Sequence, residues 1–186
     1  MSGEFARDYA IQACRKPENA LDASFFDLHL KVVAFYAVAL ADTLGADREV
    51  VEIASYLHDI SAVMDIKTLL THPINSGDIA EKLLLSEGYP YEKTIKVKQR
   101  ILRHASPEAL GKGTAEEDCL SNADAMSQIA VPAYWLYFTF CARKQSFEDG
   151  FDWYRNRVEA GWKALVPQAK VLAEDKYQVV RKCLEG

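Results

Sequence analysis

Cysteine is scarce and scattered in this chain. Cys14, Cys119, Cys141 and Cys183 form no C-x-x-C pair, which argues against a zinc–thiolate site and leaves reduced thiols as the reading. Positive charge is also short: 22 lysines and arginines stand against 27 acidic residues, for a net charge of −5 and a pI near 5.4. No basic cluster marks a predicted helix face, so no nucleic-acid partner is expected. The longest apolar stretch, from Ile129 to Ala142, is interrupted by Pro132 and several tyrosines. It falls short of the roughly 20 residues a membrane span needs, and reads as a buried helix. The opening MSGEFARDYAIQ has no basic region followed by an apolar run, so no signal peptide is expected and a cytoplasmic location is. Repeats, low-complexity tracts and linkers are missing too, so residues 1–186 are expected to form one domain.

Strand-like alternation is nearly absent, and helical periodicity takes its place. The expectation is an all-α bundle of roughly seven to eight helices. A short helix is expected near residues 4–15, then a strong one from about 24 to 44. Asp22 or Ser24 suits its start and Gly45 its end. Phe25, Leu28, Val32, Phe35, Tyr36 and Ala39 recur at helical spacing, predicting the buried face. A second helix should run from near Asp47 to about Met64. A third follows His72, with Pro73 in its first turn and Gly88 at its stop, and a fourth covers about 91–105. SPEALGKGT reads as a polar loop, and Thr114 with Glu117 as a capping box for the helix that carries Asp124. Further helices are expected around 130–143, 146–165 and 167–184.

Histidine is the informative residue. There are four: His29, His58, His72 and His104. Each taken alone reads as a satisfied core residue, or, for His72, as a helix cap beside Pro73. Together, with Asp59 directly after His58 in YLHDIS, they suggest a shared ligand. A buried aspartate is costly unless paired, hydrogen-bonded or bound to metal, and its helix offers no lysine or arginine between it and Lys67. Neutral imidazoles in a core also need partners. A divalent cation would satisfy both, and imidazole with carboxylate suits Mn, Fe, Co, Ni or Zn better than Ca or Mg. Because neighbours on a helix point about a quarter turn apart, His58 and Asp59 must reach one ion from different faces. His29 and Asp124 must then arrive from packed neighbouring helices.

The order His29, His58–Asp59, His72, His104, Asp124 resembles the HD-domain superfamily of metal-dependent phosphohydrolases. LHDIS is similar to the family signature, and HPINSGDIAEKLL, ILRHAS and SNADAMSQI are similar to the segments around the later ligands. The likeness covers about residues 24–128, leaving 129–186 as C-terminal packing helices. It implies that His29, His58, Asp59 and Asp124 hold a primary metal. His72 and His104 match positions that bind a second metal, with Asp59 bridging, or that contact substrate phosphate. One or two divalent ions (Mn, Fe, Co, Ni, Zn or Mg) are therefore expected. The implied activity is hydrolysis of a phosphate ester or anhydride of a nucleotide or similar small metabolite. The cation would lower the pKa of bound water to give hydroxide near neutral pH, and a non-ligating His72 or His104 would protonate the leaving group. Asp59, His72 and His104 are thus the expected catalytic residues. The same ligand order also fits a di-iron oxygenase, and a nucleotide-binding regulatory module would keep the site without rapid turnover.

Two of the remaining features have a bland and a functional reading. Arg100, Arg103, Lys67 and Lys112 are phosphate contacts or solvated charges. AYWLYFTF is core or one wall of the site. Glu116, Glu117 and Asp118 look like favourable charges at a helix start. Asn122 is a candidate for supporting Asp124. Trp153, Tyr154 and Trp162 are expected to pack the terminal helices. The sequence does not reveal the oligomeric state.

Overall fold

The computed structural model describes residues 3–105 and 113–185, and among these every regular element is helical. Ten α-helical segments follow in order: α1 Gly3–Cys14, α2 Lys31–Leu44, α3 Arg48–Leu57, α4 Ile60–Met64, α5 His72–Ser86, α6 Tyr91–Arg103, α7 Ala115–Ala130, α8 Pro132–Tyr137, α9 Phe147–Ala164 and α10 Pro167–Glu185. Two π-turns, Phe26–Leu30 and Phe138–Ala142, and a 3₁₀ turn at Ile66–Thr68 complete the set. The all-α expectation holds, but seven to eight helices is too few. The helix expected from Asp47 to Met64 is broken at the His58–Asp59 step, where Asp59 takes φ −107° and ψ 9°.

Local chemistry explains most boundaries. Asp47 caps α3 by accepting from the amides of Glu49 and Val50. Gly45, at φ +71°, closes α2 in the left-handed conformation that glycine adopts without a Cβ clash. Thr114 and Glu117 form both halves of the expected capping box at α7. Pro132 has no amide to continue α7, so α8 starts afresh there. Residues 106–112, most of the expected SPEALGKGT loop, lie outside the described residues, and Lys112 with them.

The buried face expected for the first strong helix is corrected in part: Phe25 and Tyr36 are buried as expected, but others of the stripe are not. Phe35 is 69% exposed and Leu28 37%, while Leu30, Val33, Ala37 and Leu40 are fully buried. The run from Val32 to Leu40 is apolar almost all round, so spacing alone fits more than one stripe. The π-turn at Phe26–Leu30 then adds a residue to one turn and rotates α2 away from the stripe counted from Phe25.

The core sits where α7 lies along α2 and both meet α3, with α6 against α3 and α7, and α5 paired with α6. Leu30, Leu40, Ile53, Leu57, Ile101, Leu120 and Met126 interleave there with no more than trace exposure. Each such side chain contributes about 1.5–3 kcal/mol on burial. α9 and α10 cover another side of α7, joined by Trp162 stacked on Tyr177 at 4.0 Å between centroids. No helix among the described residues is long and apolar enough to cross a membrane.

Candidate metal centre

Three helices and a π-turn deliver the histidines to one place. His58 follows the last residue of α3, His104 follows the last residue of α6, and His72 opens α5. His29 lies in the Phe26–Leu30 π-turn, an element common at functional sites. His58, His72 and His104 share one local geometry. Each places Nδ1 against the carbonyl oxygen three residues earlier: Ser55 at 2.8 Å, Leu69 at 2.7 Å and Ile101 at 2.6 Å. A carbonyl accepts only, so Nδ1 carries the hydrogen and Nε2 of the neutral ring presents a lone pair. His29 reaches the same state differently. Its Nδ1 lies 2.9 Å from Ser127 Oγ, whose hydroxyl donates to the Asp124 carbonyl at 2.7 Å. Orienting partners of this kind are what metal-bound imidazoles require.

Asp59 is the centre of the cluster. Its Oδ2 faces His29 Nε2 at 3.3 Å and His58 Nε2 at 3.4 Å, and its Oδ1 faces His72 Nε2 at 3.0 Å and His104 Nε2 at 3.7 Å. The four Nε2 atoms therefore divide into two pairs across one carboxylate. Within each pair they are close, 3.2 Å for His29–His58 and 3.1 Å for His72–His104. Lone pairs at that separation repel unless a proton or a metal ion lies between them. Two groups of donors could hold a cation: His29, His58 and Asp59, and Asp59, His72 and His104. Asp124 stands beside the first group, with Oδ1 3.6 Å from His29 Nε2. The donor set fits one or two divalent cations, and the break between α3 and α4 lets adjacent His58 and Asp59 converge despite their different directions.

Electrostatics agree with this use. Burial pushes the His58 pKa down to about 4, against the pull of Asp59, so its ring stays neutral and able to ligate. Burial alone would raise Asp59, but His58 and the contacts from His104, His29 and His72 outweigh it and hold the carboxyl well below its usual range. Asp124 is lowered too, burial being overcome by His29, His58 and Arg157. His72 moves up: burial opposes its charge, but the contact with Asp59 prevails. The carbonyl ends of α3 and α6 also point toward the cluster, a field that favours cations.

A pocket of about 700 Å³ opens on the cluster, bounded by Asp59, His72, His104 and Asp124 and continuing past Trp135 and Phe138 to Trp153. AYWLYFTF is thus both core and wall: Tyr134 is buried with its hydroxyl on the Leu21 carbonyl, while Trp135 meets His29 edge-on at 5.1 Å. Trp153 belongs to the pocket rather than to terminal-helix packing, which Tyr154 and Trp162 do serve. Arg100 does not face the pocket. It is buried against Glu117 at 2.7 Å and Glu116 at 3.7 Å, tying α6 to α7. Arg103 leans on Glu117, and Lys67 is exposed away from the pocket. Asn122 does not touch Asp124. It accepts from the Val166 amide and donates to the Asp118 carbonyl. The residue that supports Asp124 is Gln128, through Nε2 at 3.2 Å, and Gln128 in turn accepts from Arg157 at 2.6 Å. Gln128 lies one turn after Asp124, so its spacing alone could have singled it out; Ser127, Arg143 and Arg157 carried no such signal.

The HD domain family model matches residues 26–128. The fold is shared with solved structures. The ADP complex of Bacillus subtilis YpgQ is 19% identical, with TM-score 0.71 over 98% of this chain and 96% of that one. A predicted HD superfamily hydrolase from an uncultured Thermotogales bacterium is 21% identical, with TM-score 0.67 over 98% and 88%. A Lactobacillus plantarum protein is 15% identical, with TM-score 0.71 over 98% and 93%. No curated protein matches the chain at a significant level.

Proposed function

Because the chain belongs to the HD domain family, we propose that it is a metal-dependent phosphohydrolase acting on a phosphate ester or anhydride of a nucleotide or similar small metabolite. One observation carries the reading: Asp59 offers one oxygen to His29 and His58 and the other to His72 and His104. A carboxylate so placed could serve two cations, one at each oxygen. His29, His58, Asp59 and Asp124 would hold one, and Asp59, His72 and His104 a second. Divalent cations so held supply Lewis acidity toward phosphoryl oxygens and a lowered pKa for bound water. The residues do the rest. Ser127 and the carbonyls of Ser55, Leu69 and Ile101 fix the rings, so no reorientation is needed during reaction. Trp135 and Phe138 exclude water from one side of the cluster. Where a single cation is bound, His72 keeps a proton at Nε2 for the leaving oxygen, its affinity for that proton raised by Asp59. The ADP found with YpgQ supports a nucleotide as the substrate class.

The test is a panel of nucleotides and phosphorylated metabolites assayed for phosphate or pyrophosphate release, with several divalent ions and with chelator. Metal-dependent release that His58→Ala abolishes is expected. Release that persists undiminished in chelator, or in folded His58→Ala, would refute the reading. A dinuclear centre also suits oxygen chemistry. Bound iron with substrate-dependent oxygen uptake and no phosphate release would replace the hydrolase reading with that one.

A further inference from the structure

We propose that Arg143 and Arg157, both set over Trp153, form a subsite for a phosphoryl group distinct from the one at the His/Asp cluster, so that the pocket selects ligands carrying two or more linked phosphates. The inference rests on the phosphohydrolase reading and adds residues from beyond the family-matched segment: Arg143 just after the second π-turn, and Trp153 and Arg157 on α9. Both guanidiniums lie over the Trp153 indole, Arg143 at 4.9 Å and Arg157 at 5.7 Å from the ring centroid. Both line the pocket that holds Asp59, His72, His104 and Asp124. Arg100, Arg103, Arg155 and Arg181 each reach a carboxylate, whereas no ion pair among the described residues involves Arg143 or Arg157. Arg143 can thus meet a ligand anion directly, while Arg157 spends its Nε–H on Gln128 and keeps the rest of its fork. Arg157 is also one side-chain amide away from the cluster, through Gln128 to Asp124.

Charge balance points the same way. Cations at the cluster would more than neutralise Asp59 and Asp124, and the two arginines add further positive charge along the same pocket. One phosphoryl group at the cluster would leave the arginine pair unmatched. A second, linked group offers the planar pair of oxygens that a guanidinium binds in two-pronged fashion. Stacking on Trp153 holds both forks in place in advance, reducing the entropy lost on binding.

The experiment uses metal-loaded protein and two probes that cannot be hydrolysed, methylenediphosphonate and methylphosphonate, titrated by calorimetry. Wild type is expected to bind the diphosphonate about tenfold tighter or more than the monophosphonate. In Arg143→Ala that preference should fall about tenfold, and in Arg143→Lys by less, with methylphosphonate affinity and metal content unchanged. Arg143 is exposed and its side chain makes no hydrogen bond among the described residues, so either variant keeps its fold. Unchanged preference in the variants, or none in wild type, would overturn the subsite. The two readings separate cleanly. Arginine-dependent diphosphonate binding in a protein that hydrolyses nothing on the panel sinks only the hydrolase reading. Arginine-indifferent binding in an active hydrolase sinks only the subsite.

Discussion

His72 Nε2 stands 3.0 Å from Oδ1 of Asp59, on the side of the carboxylate turned away from His29 and His58. His72 therefore belongs to one donor group and not to the other. Substituting it by alanine should cost one cation per chain and spare the second. kcat should fall with it, because the lost ion would have polarised a phosphoryl oxygen. Elemental analysis of His72→Ala beside wild type reads the stoichiometry. Equal metal content in both proteins would show that His72 holds none.

The Arg100–Glu117 pair predicts a stability effect remote from the chemistry. Arg100 is 7% exposed and Glu117 2%, with 2.7 Å between them. Removing one partner strands the other charge in the core. Arg100→Met should lower unfolding free energy by about 3–5 kcal/mol, and Arg100→Met/Glu117→Gln should recover part of it, the glutamine keeping the capping contact to the Thr114 amide without the charge. Urea midpoints check both. A single variant as stable as wild type would contradict the pairing.

Metal-free protein should lose stability on mild acidification. His58 has its pKa depressed to about 4 in the folded chain, against about 6.5 in the unfolded one. Between these values the unfolded state binds the extra proton, so stability falls as pH drops from 6.5 toward 4, by up to about 3 kcal/mol. His72 works the other way. Its raised pKa stabilises the fold below the unfolded value and is lost as pH rises through the folded one, so it trims the net loss. Chemical denaturation of chelator-treated protein at pH 7 and pH 5 measures the sum. In His58→Gln the acid loss should shrink, and an undiminished loss there would assign it to another group.

Thiol accessibility is the simplest check of the fold. Cys14 and Cys119 are buried, and burial pushes both thiols up to about 12, whereas Cys141 and Cys183 are exposed. The thiolate is the reactive form. An aromatic disulfide reagent should titrate two thiols rapidly in native protein and four in denaturant. Four fast thiols in the native state would contradict the packing of α1 and α7.

The histidine and aspartate order is readable in the sequence because imidazoles are few and each must satisfy two ring nitrogens. So are the caps at Asp47, Gly45 and Thr114–Glu117, whose chemistry is local. The hidden features depend on long-range packing. The π-turn that turns His29 inward has no sequence mark, and it also displaces the stripe expected over Phe25–Ala39. The break at Asp59 is masked by continuous helical spacing. Arg100 looks like any surface arginine until Glu117, on another helix, is seen to be its partner. Arg157 and Trp153 join the pocket only because α9 folds back along α7.

Asp59→Asn tests the account most directly. The amide has nearly the same shape, so helix content by circular dichroism should not change. The charge that would hold both cations is gone. Where wild type takes up two divalent ions per chain, elemental analysis of folded Asp59→Asn should find none. Wild-type metal content in that variant would contradict the bridging role on which the two-cation centre depends.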